Sequence, residues 1–409
     1  MKACRQCQRL FEEDAGFCPQ DGTQLCRAED APVPPDPADR RIGACLCGGR
    51  YQVRRKVADG GMGRVYQALD LAQQRSRALK VLHREVAADE VALERFKREF
   101  SFSAQLPHDH IVEVFDFQRT EDHSYALVME YLEGEELRMM LKREKHLQPE
   151  RIIRIVSQIA LGLGEAHRRK QVHRDLKPDN VFLCGREEGA TVKLLDFGSV
   201  RDNTEAAKKL TVVGTTIGSP FYMSPEQAQG LPELDHRADV WSVTAIAYEC
   251  LTGRVPFVGS TGPQILLAIL GQEPQPPSVS GAEYGVPATV DDVIVDGLAK
   301  VAATRIGTLA ELADRFGQAY GLTGTHGEWA YTPERELRAR IDHGLPQLLT
   351  LRSYSGLSQP GEAAAPPSVN FTDDDFVMGV PTGPPVGLIV GAIAVVVLVG
   401  GAVAAYLLF

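Results

Sequence analysis

Residues 172–180 read VHRDLKPDN, which crowds a His, an Arg, two Asp, a Lys and an Asn around one proline. A solvated turn tolerates such polarity. It has no need of Lys177 and Asn180 standing two and five places after the same Asp175. What those groups serve depends on what surrounds them.

Upstream, YQVRRKV, RVYQAL, RALKVL, IVEVFDF and YALVMEY are β-branched or aromatic runs of strand length, and several of them alternate apolar with polar residues. Five strands are therefore expected before Leu132. Between the third and fourth lies EVALERFKREFSFSAQL, where Leu93, Phe96 and Phe100 make an apolar helical stripe with Glu99 at its border. Beyond Leu132 the period becomes helical. Pro149 opens a segment with Ile152, Ile153, Val156, Ile159 and Leu163 on one face, and a helix from Ala238 to Thr252 stops at Gly253. The pattern predicts an α+β, bilobed fold, a small β-rich lobe followed by a larger α-rich one, with a ligand cleft at their seam.

Composition agrees with a folded chain. Its 409 residues, 44% hydrophobic and 24% charged, can bury one large bilobed core with appendages. The net charge of −10 argues against a nucleic-acid partner, whose phosphates call for a basic face. The N-terminal MKACRQCQRLFEED lacks the apolar run of a secretory signal. No internal repeat is visible. The expected blocks are a Cys-rich head over 1–27, a Pro-rich linker over 28–50, a globular domain over 51–322, a flexible tether with a short helix over 323–385, and an apolar end over 386–409.

Phosphoryl transfer asks a protein mainly to hold a nucleotide, neutralise its phosphates and orient the attacking hydroxyl, so few residues in fixed roles suffice. VHRDLKPDN fits that demand and resembles the catalytic loop of protein kinases. By that resemblance Asp175 accepts or orients the substrate hydroxyl proton, Lys177 stabilises the moving γ-phosphate, and Asn180 holds Mg²⁺ (or Mn²⁺). Arg174 is of the type that reads a phosphorylated activation loop. The segment LLDFGS supplies Asp196 as second metal ligand, with Phe197 packing beneath it and Gly198 at the turn. ALKVL is similar to the third strand of that fold, so Lys80 is expected on the α- and β-phosphates of ATP and paired with Glu99. Met129, Glu130 and Leu132 fall at the gatekeeper and adenine-binding hinge, and Val65 and Ala78 sandwich the adenine.

VADGGMGRVY departs from the family's glycine loop by placing Ala58 where the first glycine belongs, with Gly60 and Gly63 retained. An added methyl and a penalty on positive φ point to looser closure over phosphate. GSPFYMSPEQ resembles the end of an activation segment. In it Glu226 is expected to pair with Arg305, Asp239 to brace the catalytic loop, and Ser219 to contact Asp175 and Lys177, which favours Ser/Thr substrates. Thr204, Thr211, Thr215 and Thr216 are candidate autophosphorylation sites. The resemblance implies a serine/threonine protein kinase acting on protein substrates. The alternative from another class is a nucleotide-binding pseudokinase scaffold that recruits partners through the head.

Six of the eight cysteines lie in the first 47 residues. Cys4-x2-Cys7 followed by Cys18 has the spacing of a small zinc ribbon, with Cys26 as fourth ligand or Asp21 in its place. So short a segment needs metal for its folding energy. Cys45 and Cys47 are alternative ligands, whereas Cys184 and Cys250 read as core residues.

In the tail, Thr332 and Pro333 are the expected cap and first residue of a short helix. Residues 386–409 carry no charge. As a helix they would span about 36 Å, enough to cross the roughly 30 Å hydrocarbon core. This predicts a single-pass membrane anchor with the kinase-like domain in the cytoplasm, and Gly387 and Gly391 form a GxxxG able to pair two helices into a homodimer.

Overall fold

The computed structural model describes residues 2–4, 9–27, 38–185, 189–197 and 220–356. The expectations for Cys7, Gly198, Thr204, Thr211, Thr215, Thr216, Ser219, Gly387 and Gly391 fall outside that set, as does the side chain of Glu99. Among the described residues no helix is long and apolar enough to cross a membrane; 386–409 lies beyond them.

In the head, β1 (Lys2–Ala3), β2 (Leu10–Phe11) and β3 (Cys26–Arg27) form a small antiparallel sheet in the order β2-β1-β3. Next comes a six-stranded antiparallel sheet: β4 (Cys45–Leu46), β5 (Tyr51–Asp59), β6 (Gly63–Asp70), β7 (Arg75–Leu82), β8 (Val114–Arg119) and β9 (Tyr125–Glu130), ordered β4-β5-β6-β7-β9-β8. Alternation along β7 assigns its faces. Leu79 and Val81 join Tyr51, Val53, Tyr66 and Val128 on one side, while Leu82 packs with Phe96, Val114 and Leu127 on the other. Lys80, between Leu79 and Val81, is thereby sent to the second face.

Two helices, not the single one expected, sit between β7 and β8: α1 (Arg84–Ala87) and α2 (Glu90–Ser103). Asp89 makes the break, accepting from the N–H groups of Val91 at 2.9 Å and Ala92 at 3.3 Å, which caps the second helix and ends the first.

The larger lobe opens with β10 (Gly134–Glu136), α3 (Leu137–Glu144) and α4 (Pro149–Arg168). Strands β11 (Val181–Cys184) and β12 (Thr191–Leu194) join β10 in a sheet ordered β10-β11-β12. These short strands were not legible among the helical periods. Then come α5 (Pro225–Ala228), α6 (Arg237–Thr252), α7 (Gly262–Gly271), α8 (Pro277–Ser280), α9 (Asp291–Gly297), α10 (Leu309–Ala319), α11 (His326–Trp329) and α12 (Glu334–Gly356). Every residue of α6 from Ala238 to Thr252 is buried, and Gly253 ends it in the left-handed conformation at φ 69°.

Three boundaries need correction. Residues 38–50 belong to the small lobe and are not linker. Arg41 pairs with Asp122 at 2.6 Å, Tyr66 donates to Asp39 at 2.8 Å, and Glu121 accepts the N–H groups of Cys47 and Gly48. Cys47 is consequently a core residue with its thiol pushed up to about 12, first by burial and then by Glu121, and neither it nor Cys45 on β4 belongs to the head. Residues 323–356 are likewise no tether: Trp329, Leu337 and Ile341 complete the large-lobe core. Thr332 is no helix cap, because its hydroxyl donates back to the Glu328 carbonyl at 2.9 Å; the Pro333 carbonyl instead accepts from Glu336 and Leu337, and the helix starts at Glu334.

Candidate active site

After α4 the chain has no regular structure from Gln171 to Lys177, then makes a 3-10 turn at Pro178–Asn180. That turn folds the polar groups back on themselves. Lys177 Nζ donates to Asp175 Oδ2 at 2.8 Å, and Asn180 Nδ2 donates to the Asp175 carbonyl at 2.7 Å. Both Arg174 (φ 68°) and Asp196 (φ 54°) hold left-handed backbone conformations, which cost side-chain-bearing residues energy and persist where the surroundings impose them.

The surroundings here are buried hydrogen bonds. Asp239, wholly buried on α6, accepts from the N–H groups of His173 and Arg174, each at 2.9 Å, and from His167 Nε2 at 2.8 Å. Burial alone would push its carboxyl up. The His167 hydrogen bond, both nearby histidines and the Arg174 N–H more than reverse this, so it sits below the ordinary carboxylate range. The segment bearing Asp196 is tied in from the other side. Leu195 N–H donates to the Asn180 carbonyl at 2.9 Å, the Leu195 carbonyl lies 2.9 Å from His173 Nε2, and Phe197, buried, packs 4.7 Å from the His173 ring.

Lys80 reaches from β7 across the seam to Asp196 Oδ1 at 2.6 Å, with its ammonium 5.5 Å from the Phe96 ring centre. The fold thus brings Lys80, Asp175, Lys177, Asn180 and Asp196 into one linked assembly. For a divalent cation, the Asp196 carboxylate and the Asn180 amide oxygen, whose amide nitrogen is engaged with Asp175, form the oxygen-only donor set that suits Mg²⁺. Glu226 and Arg305 meet through 2.8 and 3.0 Å bonds.

At the roof of the cleft, Ala58 pairs with Val65 within the β5–β6 ladder and keeps ordinary negative φ. The penalty expected of alanine there does not arise. Gly60 N–H donates to the Gly63 carbonyl at 3.0 Å. A Cβ on Gly63 would stand 2.3 Å from the Val81 carbonyl oxygen, so this glycine is required by the β6–β7 approach itself. Val65 and Ala78 face Lys80 and Met129 in the adjoining ladders. Along the hinge, the Glu130 N–H is bonded to the Glu113 carbonyl and its carboxylate to Lys193 at 2.7 Å, whereas Leu132 makes no backbone hydrogen bond among the described residues. Leu132 therefore keeps backbone groups to offer at the hinge.

Glu136 and Arg138, like His167, carry no signal in the sequence. Glu136, at the foot of the hinge, has its carboxyl pushed up by burial and then by Asp179, with Asp196 adding to the effect. Arg138 on α3 donates to Asp179 at 3.3 Å, to Glu249 at 2.8 Å and to the Tyr222 hydroxyl, which joins the catalytic-loop segment to α6 and to the chain before α5. In sequence both look like surface positions of a polar EGEELR run.

This geometry defines a class, and comparison with known proteins agrees. Residues 51–314 match the protein kinase domain. The chain belongs to the protein kinase family. It is 37% identical over 259 residues to the serine/threonine-protein kinase pkn3 of Myxococcus xanthus, covering 63% of this chain and 47% of that protein. It is 32% identical over 354 residues to PknH of Mycobacterium bovis, also a serine/threonine-protein kinase, covering 86% and 54%. A crystal structure of a double mutant of the Mycobacterium tuberculosis PknI kinase domain superposes with a TM-score of 0.52 at 28% identity, covering 66% of this chain and 96% of that one. The chain spans about half the length of these curated relatives.

Proposed function

We propose that the chain is an active serine/threonine protein kinase, transferring the γ-phosphate of ATP to a protein hydroxyl. The observation that carries this is the linked assembly of Lys80, Asp175, Lys177, Asn180 and Asp196. Lys80 holds the α- and β-phosphates, with Glu99 as its partner on α2. Asp175 orients the incoming hydroxyl and takes its proton, while Lys177, already on Asp175, neutralises charge on the transferring group. Asn180 and Asp196 would hold Mg²⁺, which supplies charge neutralisation across the phosphates. Met129, Glu130 and Leu132 line the adenine end with Val65 and Ala78, below the loop carrying Gly60 and Gly63. Arg174 and the threonines Thr204, Thr211, Thr215 and Thr216 suit activation by autophosphorylation, and Ser219 suits the Ser/Thr preference.

The uncharged 386–409 stretch supports tethering to a membrane, and the need for ATP and Mg²⁺ favours the cytoplasmic side for the kinase domain. Its Gly387 and Gly391 offer a contact for a homodimer. The head, through Cys4, Cys7 and Cys18, is a structural zinc module.

The test is to incubate the purified full chain with Mg·ATP and map phosphosites by mass spectrometry. Phosphate is expected on the 204–216 threonines. Asp175→Asn should lower turnover about 10²–10⁴-fold while nucleotide binding persists, the range general-base removal spans. Equal labelling of wild type and Asp175→Asn would refute kinase activity at this site, and nucleotide binding with no transfer by wild type would favour the scaffold.

A further inference from the structure

The described residues of the head, 2–4 and 9–27, fold around very little. Their interior is Cys4, Cys18 and Leu25, edged by Phe11 and Ala15, and each strand of their sheet is two residues long. A segment of this size ordinarily needs a metal or a covalent staple to fold. Cys4 and Cys18 are 0% and 2% exposed, and both lie against Asp21. Cys4 Sγ is 3.4 and 3.2 Å from the two Asp21 carboxylate oxygens, and one ligand atom from each of Cys4, Cys18 and Asp21 lies within 4.8 Å of the others. The Thr23 N–H, donating to Asp21 Oδ1 at 2.9 Å, fixes the carboxylate in that direction.

Zinc binds sulfur near 2.3 Å and carboxylate oxygen near 2.1 Å, so a thiolate and a carboxylate on one tetrahedral ion stand roughly 3.6 Å apart. The Cys4–Asp21 separation is of that size. Among the described residues, Cys26, on β3, does not lie within that group. We infer that Asp21, not Cys26, is the oxygen ligand that closes a zinc site with Cys4 and Cys18. The inference rests on the head being a metal module. Cys7, the other ligand expected from sequence, lies outside the described residues.

In the structure the Cys4 thiol hydrogen-bonds to the carboxylate. When hydrated Zn²⁺ enters it sheds three waters, the Cys4 and Cys18 S–H protons leave to solvent, two Zn–S bonds form and the carboxylate forms a Zn–O bond in place of one thiolate, with the fourth tetrahedral position left to a further donor. Replacing thiolate by an exposed carboxylate leaves the ion more open to exchange than in a four-thiolate ribbon.

Zinc content of the full chain, measured by plasma emission after gel filtration, together with competition against a chromophoric chelator, tests this. One zinc per wild-type chain is expected, with Asp21→Asn weakening affinity at least about tenfold and Cys26→Ser staying within about twofold. Asp21→Cys guards against misfolding of the asparagine variant: loaded with cobalt, it should gain sulfur-to-metal charge-transfer absorption over wild type. A wild-type chain without zinc would overturn the metal-module reading itself. Zinc kept by Asp21→Asn but lost by Cys26→Ser would overturn only the assignment of Asp21, as would an unchanged cobalt spectrum for Asp21→Cys.

Discussion

Two positions in the glycine loop show how differently one methyl group can matter. At Ala58 the residue pairs with Val65 just past a register shift between Lys56 and Ala58 and holds negative φ, so the methyl meets no conformational penalty. Asp59, one place on, is engaged with Lys56 at 3.1 Å and Arg64 at 3.0 Å. Ala58→Gly should therefore move the KM for ATP less than about twofold and lower stability by roughly 0.5–1 kcal/mol, the cost of glycine inside a strand. Gly63→Ala is the opposite case. Its Cβ would meet the Val81 carbonyl at 2.3 Å, and only movement of β6 away from β7, the strand that carries Lys80, relieves that contact. Overpacking of this kind costs about 1–3 kcal/mol, so a melting temperature lower by several degrees and a weaker nucleotide affinity are expected together. A Gly63→Ala chain that melts and binds as wild type would disprove the packing account. The motif spacing in the sequence marked both positions, but only the ladder register separates a glycine needed by the sheet from an alanine that is harmless.

At the scale of elements, the catalytic loop has its shape because α6 places a buried carboxylate beneath it. Asp239 satisfies two backbone donors and His167, and those bonds hold Arg174 in its left-handed conformation. With its folded pKa below the ordinary value near 3.9, the stability Asp239 supplies is complete above about pH 4. It is lost as pH falls through the folded value. Melting curves of wild type and Asp239→Asn should accordingly differ most from pH 5 to 7 and converge below about pH 4; a gap constant down to pH 3 would show that the charge on Asp239 does not matter. The brace was legible because Asp239 lies in ADVWS, a run that resembles the family's motif. His167 was not, since a histidine in the last turn of an amphipathic helix looks the same in sequence whether it meets solvent or a buried carboxylate two helices further on. The strands β11 and β12 escaped for a similar reason: runs of four residues carry too few alternations to stand out between helices.

At the scale of the whole molecule, the sequence located both lobes but misplaced their edges. Motif spacing marks a kinase-like core that ends near Leu322, and the matched family domain ends at residue 314, yet the packed unit continues through α11 and α12. The reason lies on α4, whose face toward this segment is polar. Arg154 donates to the Thr332 carbonyl at 3.1 Å, Gln158 to the Ala330 carbonyl at 2.8 Å, Arg338 to Glu150 at 2.8 Å and Arg151 to Glu334 at 3.2 Å. Arg154 and Gln158 are themselves buried. In sequence such residues read as a solvated helix face; in the fold they are partners waiting for a strap. Trp329 then fills the space above Gly317, where a Cβ would lie 2.2 Å from its ring. Ending the chain after Leu322 would therefore remove the Thr332 carbonyl from the Arg154 guanidinium and the Ala330 carbonyl from the Gln158 amide, leaving them only Gly189 and the Ala190–Val192 backbone, and open a tryptophan-sized void, whereas ending it after Gly356 would leave every one of these contacts intact. Filling by a buried Trp alone is worth about 3–5 kcal/mol. Trp329→Ala in the full chain should lose that much in urea unfolding, and a chain ended after Leu322 should lose more or fail to fold, while one ended after Gly356 should unfold at the wild-type midpoint. Equal midpoints for the chains ended after Leu322 and after Gly356 would return residues 323–356 to the role of a mere tether.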